Sequence, residues 1–142
     1  MAKKKISNGV VADAYLTLLA DRGVDYLFGN AGTDFAPLIE SYSKMRANGT
    51  KVPEPITCPH ENVAMGMAQG YYVMTGRPQT VMVHVNVGTA NAVCGLVNAY
   101  KGNIPVLFSA GRTPFSETGD LMGKRSGEIH WLQEMFDQRS MV

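Results

Sequence analysis

The sequence predicts an α/β domain of three layers, a mostly parallel sheet with helices on both faces. Three observations predict it. Short β-rich runs alternate with stretches of helical periodicity, the pattern of parallel strands joined by crossover helices. The run 80–85 (TVMVHV) is mostly apolar, as a strand covered on both faces must be. The chain has 142 residues, 45% hydrophobic and 18% charged, which fits one domain with a real core.

The elements follow in order. Val10, Val11, Ala14, Tyr15, Leu18 and Leu19 recur at helical spacing, with Ser7 or Asn8 as cap and Gly23 as stop. Tyr26-Leu27-Phe28 is a short strand broken by Gly29-Asn30-Ala31-Gly32. A second helix starts at Thr33-Asp34, carries Phe35, Leu38, Ile39 and Tyr42, and stops at Asn48-Gly49. Ile56-Thr57-Cys58 is the next strand, and a small-residue helix follows it until the turn Gly76-Arg77-Pro78. After strand 80–85 comes a loop at 86–89, then a helix whose face is Val93, Leu96, Val97 and Tyr100. A strand at 104–110 ends at Gly111. Beyond it, 113–127 reads as a loop and a short helix begins near Ile129.

Composition excludes several functions. A net charge of +1 gives no field for nucleic acid or an acidic membrane, and Lys3-Lys4-Lys5 reads as a solvated tail. No apolar segment approaches the ~20 residues that span a bilayer, and Ile6-Ser7-Asn8-Gly9 is not the apolar core of a signal peptide. A cytoplasmic protein is expected, with Cys58 and Cys94 as buried, reduced thiols.

Open parallel sheets bind ligands beyond the carboxyl ends of their strands. That edge gathers Gly29, Asn30 and Thr33, then His60 and Glu61, then His84, Asn86 and Gly88, and finally Gly111. Each has a plainer reading. Glu61 in a first helical turn suits the helix dipole, Thr33 suits a cap, and His84 suits a satisfied core position. The spacing of Gly66 and Gly70 allows another helix to approach closely. The dinucleotide fingerprint, the P-loop, zinc spacing and the Gly-x-Ser-x-Gly elbow are all absent.

Taken together, the motifs resemble the pyrimidine-binding (PYR) domain of thiamine diphosphate enzymes, from about Val10 to the chain end. Phe28-Gly29-Asn30-Ala31-Gly32-Thr33 is similar to the family's FG-x-PG loop, with Ala31 in place of proline. His60-Glu61-Asn62 followed by Ala68-Gln69-Gly70-Tyr71 resembles the HE…ADGYA signature, with Gln69 in place of aspartate and Tyr72 in place of the last alanine. Gly88-Thr89-Ala90-Asn91 resembles G-x-x-N, and Leu132-Gln133-Glu134 resembles FQE. Val83-His84-Val85 is similar to the benzoylformate decarboxylase branch, while the FQE-like segment points toward carboligases.

The resemblance implies a part of a C–C lyase or carboligase, a 2-oxo acid decarboxylase or an acetolactate-synthase-like enzyme. Glu61 would bond the pyrimidine N1′ and activate the cofactor. Gly29, Asn30, Ala31, Gly88 and Asn91 would line the cofactor. His84 would relay protons, and Thr33, His84 and Gln133 would face the substrate. The cofactors implied are thiamine diphosphate and Mg²⁺, the metal ligated by a domain not in this chain. The Gly-Asp-Gly…Asn-Asn mark of that domain is not found; Gly119-Asp120-Leu121 reads as a turn. Residues 1–142 are therefore expected to form a PYR domain cut at its C-terminal end, working with a diphosphate-binding domain or subunit. A homodimer or homotetramer is expected, with the Gly66/Gly70 face as a contact. The alternative is a non-catalytic PYR-like assembly module.

Overall fold

The computed structural model describes residues 5–6, 9–113 and 135–142. The expected capping residues Ser7 and Asn8, the loop from 114 onward and the helix near Ile129 lie outside them. The element order is α1 (Val11–Asp21), β1 (Tyr26–Asn30), α2 (Ala36–Ala47), β2 (Glu54–Thr57), α3 (Glu61–Thr75), β3 (Gln79–Val83), α4 (Val85–Lys101) and β4 (Val106–Ala110). Two 3-10 turns, Thr33–Phe35 and Gln138–Met141, complete it.

The four strands are parallel, in the order β2-β1-β3-β4. Phe28 stands opposite Ile56 on one side and Val81 on the other, and Val83 stands opposite Ala110. From β1 the chain crosses through α2 to one edge, and from β3 through α4 to the other. The crevice between the carboxyl ends of β1 and β3 is thus a switch point, where sheets of this kind bind ligands.

Alternation along the strands separates two cores. Phe28, Val81 and Val83 pack against Ala64, Met65 and Ala68 of α3 and Ala92 and Ala99 of α4. On the opposite face Leu27 joins Leu16 and Leu19 of α1 and Met45 of α2, with Tyr42 and Met82 against them. The three layers expected from the sequence are therefore present among the described residues.

Helices α3 and α4 meet through small residues. A Cβ added at Gly95 would lie 2.5 Å from Met65 Cβ, so only glycine permits this approach. Asn62 Oδ1 accepts from the Gly95 N–H at 3.0 Å, and Gln69 Nε2 donates to the Gly95 carbonyl at 3.1 Å. Gln69, where the resembled family carries aspartate, thus ties the two helices together.

Several expected helical faces are displaced. Helix α1 buries Ala12, Asp13, Leu16 and Leu19, whereas Val11 is 87% exposed and Leu18 points outward. In α2 Ile39 is exposed, while Ser41 and Met45 are buried. In α4 Tyr100 is 79% exposed and Val97 is exposed; the buried side is Val85, Gly88, Thr89, Ala92, Gly95 and Ala99. Close approach to α3 and the sheet favours small side chains there; Leu96 of the expected face still packs against the core, while Val97 and Tyr100 turn outward.

A second correction concerns β3. Strand 80–85 stops at Val83, and residues 86–89, expected as a loop, form the first turn of α4. His84 stands at the N-cap position of that helix without a side-chain capping bond, and Val85 takes φ +38° to turn strand directly into helix. A branched residue in this region is strained by about 1–3 kcal/mol and is held only where its surroundings over-determine it.

Asp13 is buried on the same side of α1 as Leu16 and Leu19, and its charge is paired. Its Oδ2 accepts from the Val10 N–H at 3.0 Å and from Lys44 Nζ on α2. The Lys44 hydrogen bond, and then the Val10 N–H, hold its carboxyl below the ordinary value of 3.8. A carboxyl with a lowered folded-state value contributes stability above its unfolded value, and loses it as pH falls through the folded one. Asp13→Asn is therefore expected to lower Tm at neutral pH, with the gap to the unsubstituted protein closing as pH falls below 3.8. Thermal melts across acid pH check this; a gap independent of pH would remove the charge from the explanation.

Candidate functional site

The site is assembled at the start of α3. Strand β2 ends at Thr57, and the Cys58 N–H donates to the Gly29 carbonyl at 2.8 Å, fixing the exit from the sheet. Burial pushes the Cys58 thiol up, offset in part by a backbone hydrogen bond at Gly29. His60 then caps α3, its Nδ1 accepting from the Asn62 N–H at 3.1 Å. His60 is accounted for by that role.

Glu61 is the first residue of α3 and only 4% exposed. Its Oε1 accepts from Asn30 Nδ2 at 3.1 Å, and its Oε2 from Asn91 Nδ2 at 3.1 Å. Asn30 is the last residue of β1, and Asn91 stands on α4, so three elements converge on one carboxylate. Each oxygen keeps a further lone pair, so the acid retains capacity to share a proton or accept from a ring N–H. A Cβ at Gly88 would lie 3.2 Å from Glu61 Oε1 and 2.9 Å from Val83 Cβ. The glycine keeps the space beside the acid open. The N-termini of α3 and α4 both lie at this edge, a setting that favours negative charge.

Gly88 and Asn91 lie in the first turns of α4 beside Glu61, while His84 at the N-cap position has extended backbone and lies against Gly32. His84 Nδ1 lies 2.7 Å from Asp34 Oδ1, within hydrogen-bond distance. Asp34 comes from the 3-10 turn after β1 and was not singled out by the sequence reading. Thr33, its neighbour, opens that turn and is exposed, with Gly32 as the cap.

The remaining expected residues are less convergent. Gly29 is buried in β1, where an added Cβ would lie 3.2 Å from Phe35 Cε1, on the α1/α2 side of the sheet. With Ala31 and Phe35 it lines an apolar recess of about 260 Å³. Gln133 lies outside the described residues. A cleft of about 550 Å³ beyond β4 is lined by Thr89, Gly111, Arg112, Phe136 and Gln138 among others. Gln138 Nε2 donates to Thr89 Oγ1 at 2.9 Å and to the Gly111 carbonyl at 3.0 Å, drawing the last residues back to the same edge. Among the described residues, no group of three or more His, Cys, Asp or Glu side chains converges to hold a metal ion.

Comparison with known proteins gives a consistent picture. A profile described as "Thiamine pyrophosphate enzyme, N-terminal TPP binding domain" matches residues 10–141. The acetolactate synthase large subunit of Haemophilus influenzae is 32% identical over 109 residues, which cover 77% of this chain and 18% of that protein. Benzoylformate decarboxylase of Pseudomonas aeruginosa is 30% identical over 112 residues, covering 77% of this chain and 19% of that protein. The solved structure of a thiamine diphosphate-dependent 4-hydroxybenzoylformate decarboxylase from Rhodococcus jostii superposes with a TM-score of 0.66 at 26% identity, covering 82% of this chain and 21% of that one. The chain thus spans about a fifth of the length of these relatives.

Proposed function

The chain belongs to the N-terminal thiamine pyrophosphate-binding domain family of thiamine pyrophosphate enzymes, and from that premise we propose that it is the cofactor-activating part of an enzyme that cleaves or forms the carbon–carbon bond beside the carbonyl of a 2-oxo acid. The observation that carries the proposal is Glu61: a buried acid at a helix start, aligned by two amides, with acceptor capacity left over. That is what a group needs to share a proton with a ring nitrogen in an apolar setting. The residues present therefore fit the pyrimidine end of the cofactor.

When bound, thiamine diphosphate supplies the nucleophilic carbon and the electron sink for such reactions. The chain's own residues do the rest. Glu61 holds a proton at its carboxylate against the pyrimidine N1′. Asn30 and Asn91 fix the direction of that carboxylate, and Gly88 keeps the space beside it open for a bound ring, whereas Gly29 and Ala31 face the recess on the other side of the sheet. His84 gives or takes a proton at its imidazole. The Thr33 hydroxyl and Gln133 orient the substrate.

In this reading Mg²⁺ and the diphosphate are held by a second domain, of the same or another chain. The outward side of α3 supports assembly: Val63, Met67 and Met74 are exposed there, and the space around Gly66 and Gly70 is open. We assign that face to a contact between protomers of a dimer or tetramer. No helix among the described residues is long and apolar enough to cross a membrane. Both thiols are free, which suits the cytoplasm, but only Cys58 is buried; Cys94, expected inside, is exposed on the outer side of α4. A purely scaffolding domain would leave the alignment of Asn30 and Asn91 on a buried acid without a purpose.

The test is made on the assembled protein with every chain that copurifies. Thiamine diphosphate is titrated in the presence of Mg²⁺, and CO₂ release is followed with one aliphatic and one aryl 2-oxo acid. Saturable cofactor binding, with release from either acid, is expected. No cofactor binding at millimolar concentration would overturn the proposal.

A further inference from the structure

Asp34 follows β1, His84 follows β3 and Gly111 follows β4, so the groups come from three neighbouring strands. The His84 Nδ1 to Asp34 Oδ1 distance is 2.7 Å, and the side chains are 38% and 15% exposed. Two glycines make the pair possible. A Cβ on Gly32 would lie 2.1 Å from His84 Nδ1, and one on Gly111 would lie 1.8 Å from Asp34 Oδ2. Among the described residues Asp34 Oδ2 is buried without a hydrogen-bond partner. The strained φ of +38° at Val85 sits directly after the histidine, and the Gly88 N–H donates to the His84 carbonyl at 2.8 Å. Two obligatory glycines and a half-satisfied carboxylate surround one imidazole. A cap for α4 needs none of them.

We propose that Asp34 is the positioning residue of His84, holding the ring as the Nδ1–H tautomer so that Nε2 is the nitrogen that exchanges protons with substrate. An ionised carboxylate only accepts hydrogen bonds, so Nδ1 must carry the proton. Nε2 then offers a lone pair in the neutral ring and a proton in the charged one. Without Asp34 the neutral ring distributes between tautomers and loses its orientation. The inference rests on the reading of His84 as a proton relay, but its structural half can be tested separately.

The first test is ¹⁵N NMR of the assembled enzyme carrying labelled histidine, with His84→Gln used to assign the signal. The neutral His84 ring is expected as Nδ1–H with a bare Nε2. In Asp34→Asn, whose amide can donate as well as accept, the Nε2–H form is expected to appear. A tautomer unchanged by Asp34→Asn overturns the proposal whatever the activity. The second test is kinetic, with whichever 2-oxo acid the enzyme turns over. Asp34→Asn is expected to lower kcat on the order of 10²-fold with little change in KM. In the His84→Gln background it is expected to cost nothing further, because the aspartate acts only through the ring. Multiplying losses in the double variant would overturn the proposal. Gly111→Ala, which displaces the Asp34 carboxylate and leaves its charge in place, is expected to give part of the same kcat loss and the same change in tautomer. If the tautomer responds to Asp34 while His84→Gln retains full turnover, the positioning holds and the relay role of His84 in the proposed function fails.

Discussion

Glu61→Gln in the assembled enzyme is expected to lower kcat by at least 10²-fold, and on the order of 10³-fold if proton sharing is rate-determining, with the fold retained. The substitution keeps the size and the start of α3. It removes the carboxylate that accepts from Asn30 Nδ2 and Asn91 Nδ2, each at 3.1 Å. One of these amides would then face the glutamine NH₂, a loss of one hydrogen bond worth about 0.5–1.5 kcal/mol. That is small beside the chemical loss, because an amide cannot take and return a proton at this position. Circular dichroism and a thermal melt establish the fold, steady-state kinetics give kcat, and titration gives cofactor affinity. Full turnover in a folded variant would sink the assignment of Glu61. Glu61→Asp keeps the charge but withdraws it by one methylene, and an intermediate loss is expected.

The second large effect is expected at His84. His84→Ala removes the proton relay and is expected to lower kcat on the order of 10²-fold. The vacated slot lies between the Gly32 backbone and the Asp34 carboxylate, at whose Oδ1 the lost Nδ1 stood 2.7 Å away. That slot has the shape and the acceptor to receive a small imidazole. Added imidazole is therefore expected to restore part of the rate in His84→Ala and none in Glu61→Gln. An unchanged rate in His84→Ala with each substrate tried would reduce His84 to the cap of α4. A lowered rate without rescue would assign the loss to the helix start, since Val85 at φ +38° depends on what precedes it.

Much of the fold was legible because its signals are local. Tyr26, Leu27 and Phe28 are consecutive β-formers, and the Gly76 turn is closed by φ +69°, as its glycine suggested. The acid was legible for the same reason: Glu61 directly follows a cap, at the junction of a strand and a small-residue helix. The end of β3 was not. Residues 80–85 are uniformly β-prone, and only the pairing with β4, which finishes at Val83 and Ala110, together with the turn at Val85, says where the strand stops. The buried sides of α1 and α4 were legible only in part, with Leu19 and Leu96 packing inward as expected, because each helix carries two plausible apolar stripes. Packing on Leu27 and Met45 seats the one with Leu16 and Leu19 on α1, Asp13 pairing with Lys44 beside it, and the close approach to α3 selects the small one on α4.

Asp34 shows the limit most directly, since it reads as an ordinary first-turn acid and its partner lies 50 residues away. By itself the sequence determined the order of strands and helices, the parallel sheet, and the acid at the head of α3. Periodicity, capping and turn formation depend on residues within a few positions of one another, so those signals survive in one dimension. Tertiary structure alone decided which helical faces are buried, how Asn30 and Asn91 align Glu61, and that Asp34 meets His84. Each of these depends on hydrogen bonds or steric fit between groups that approach only after the chain has crossed the sheet.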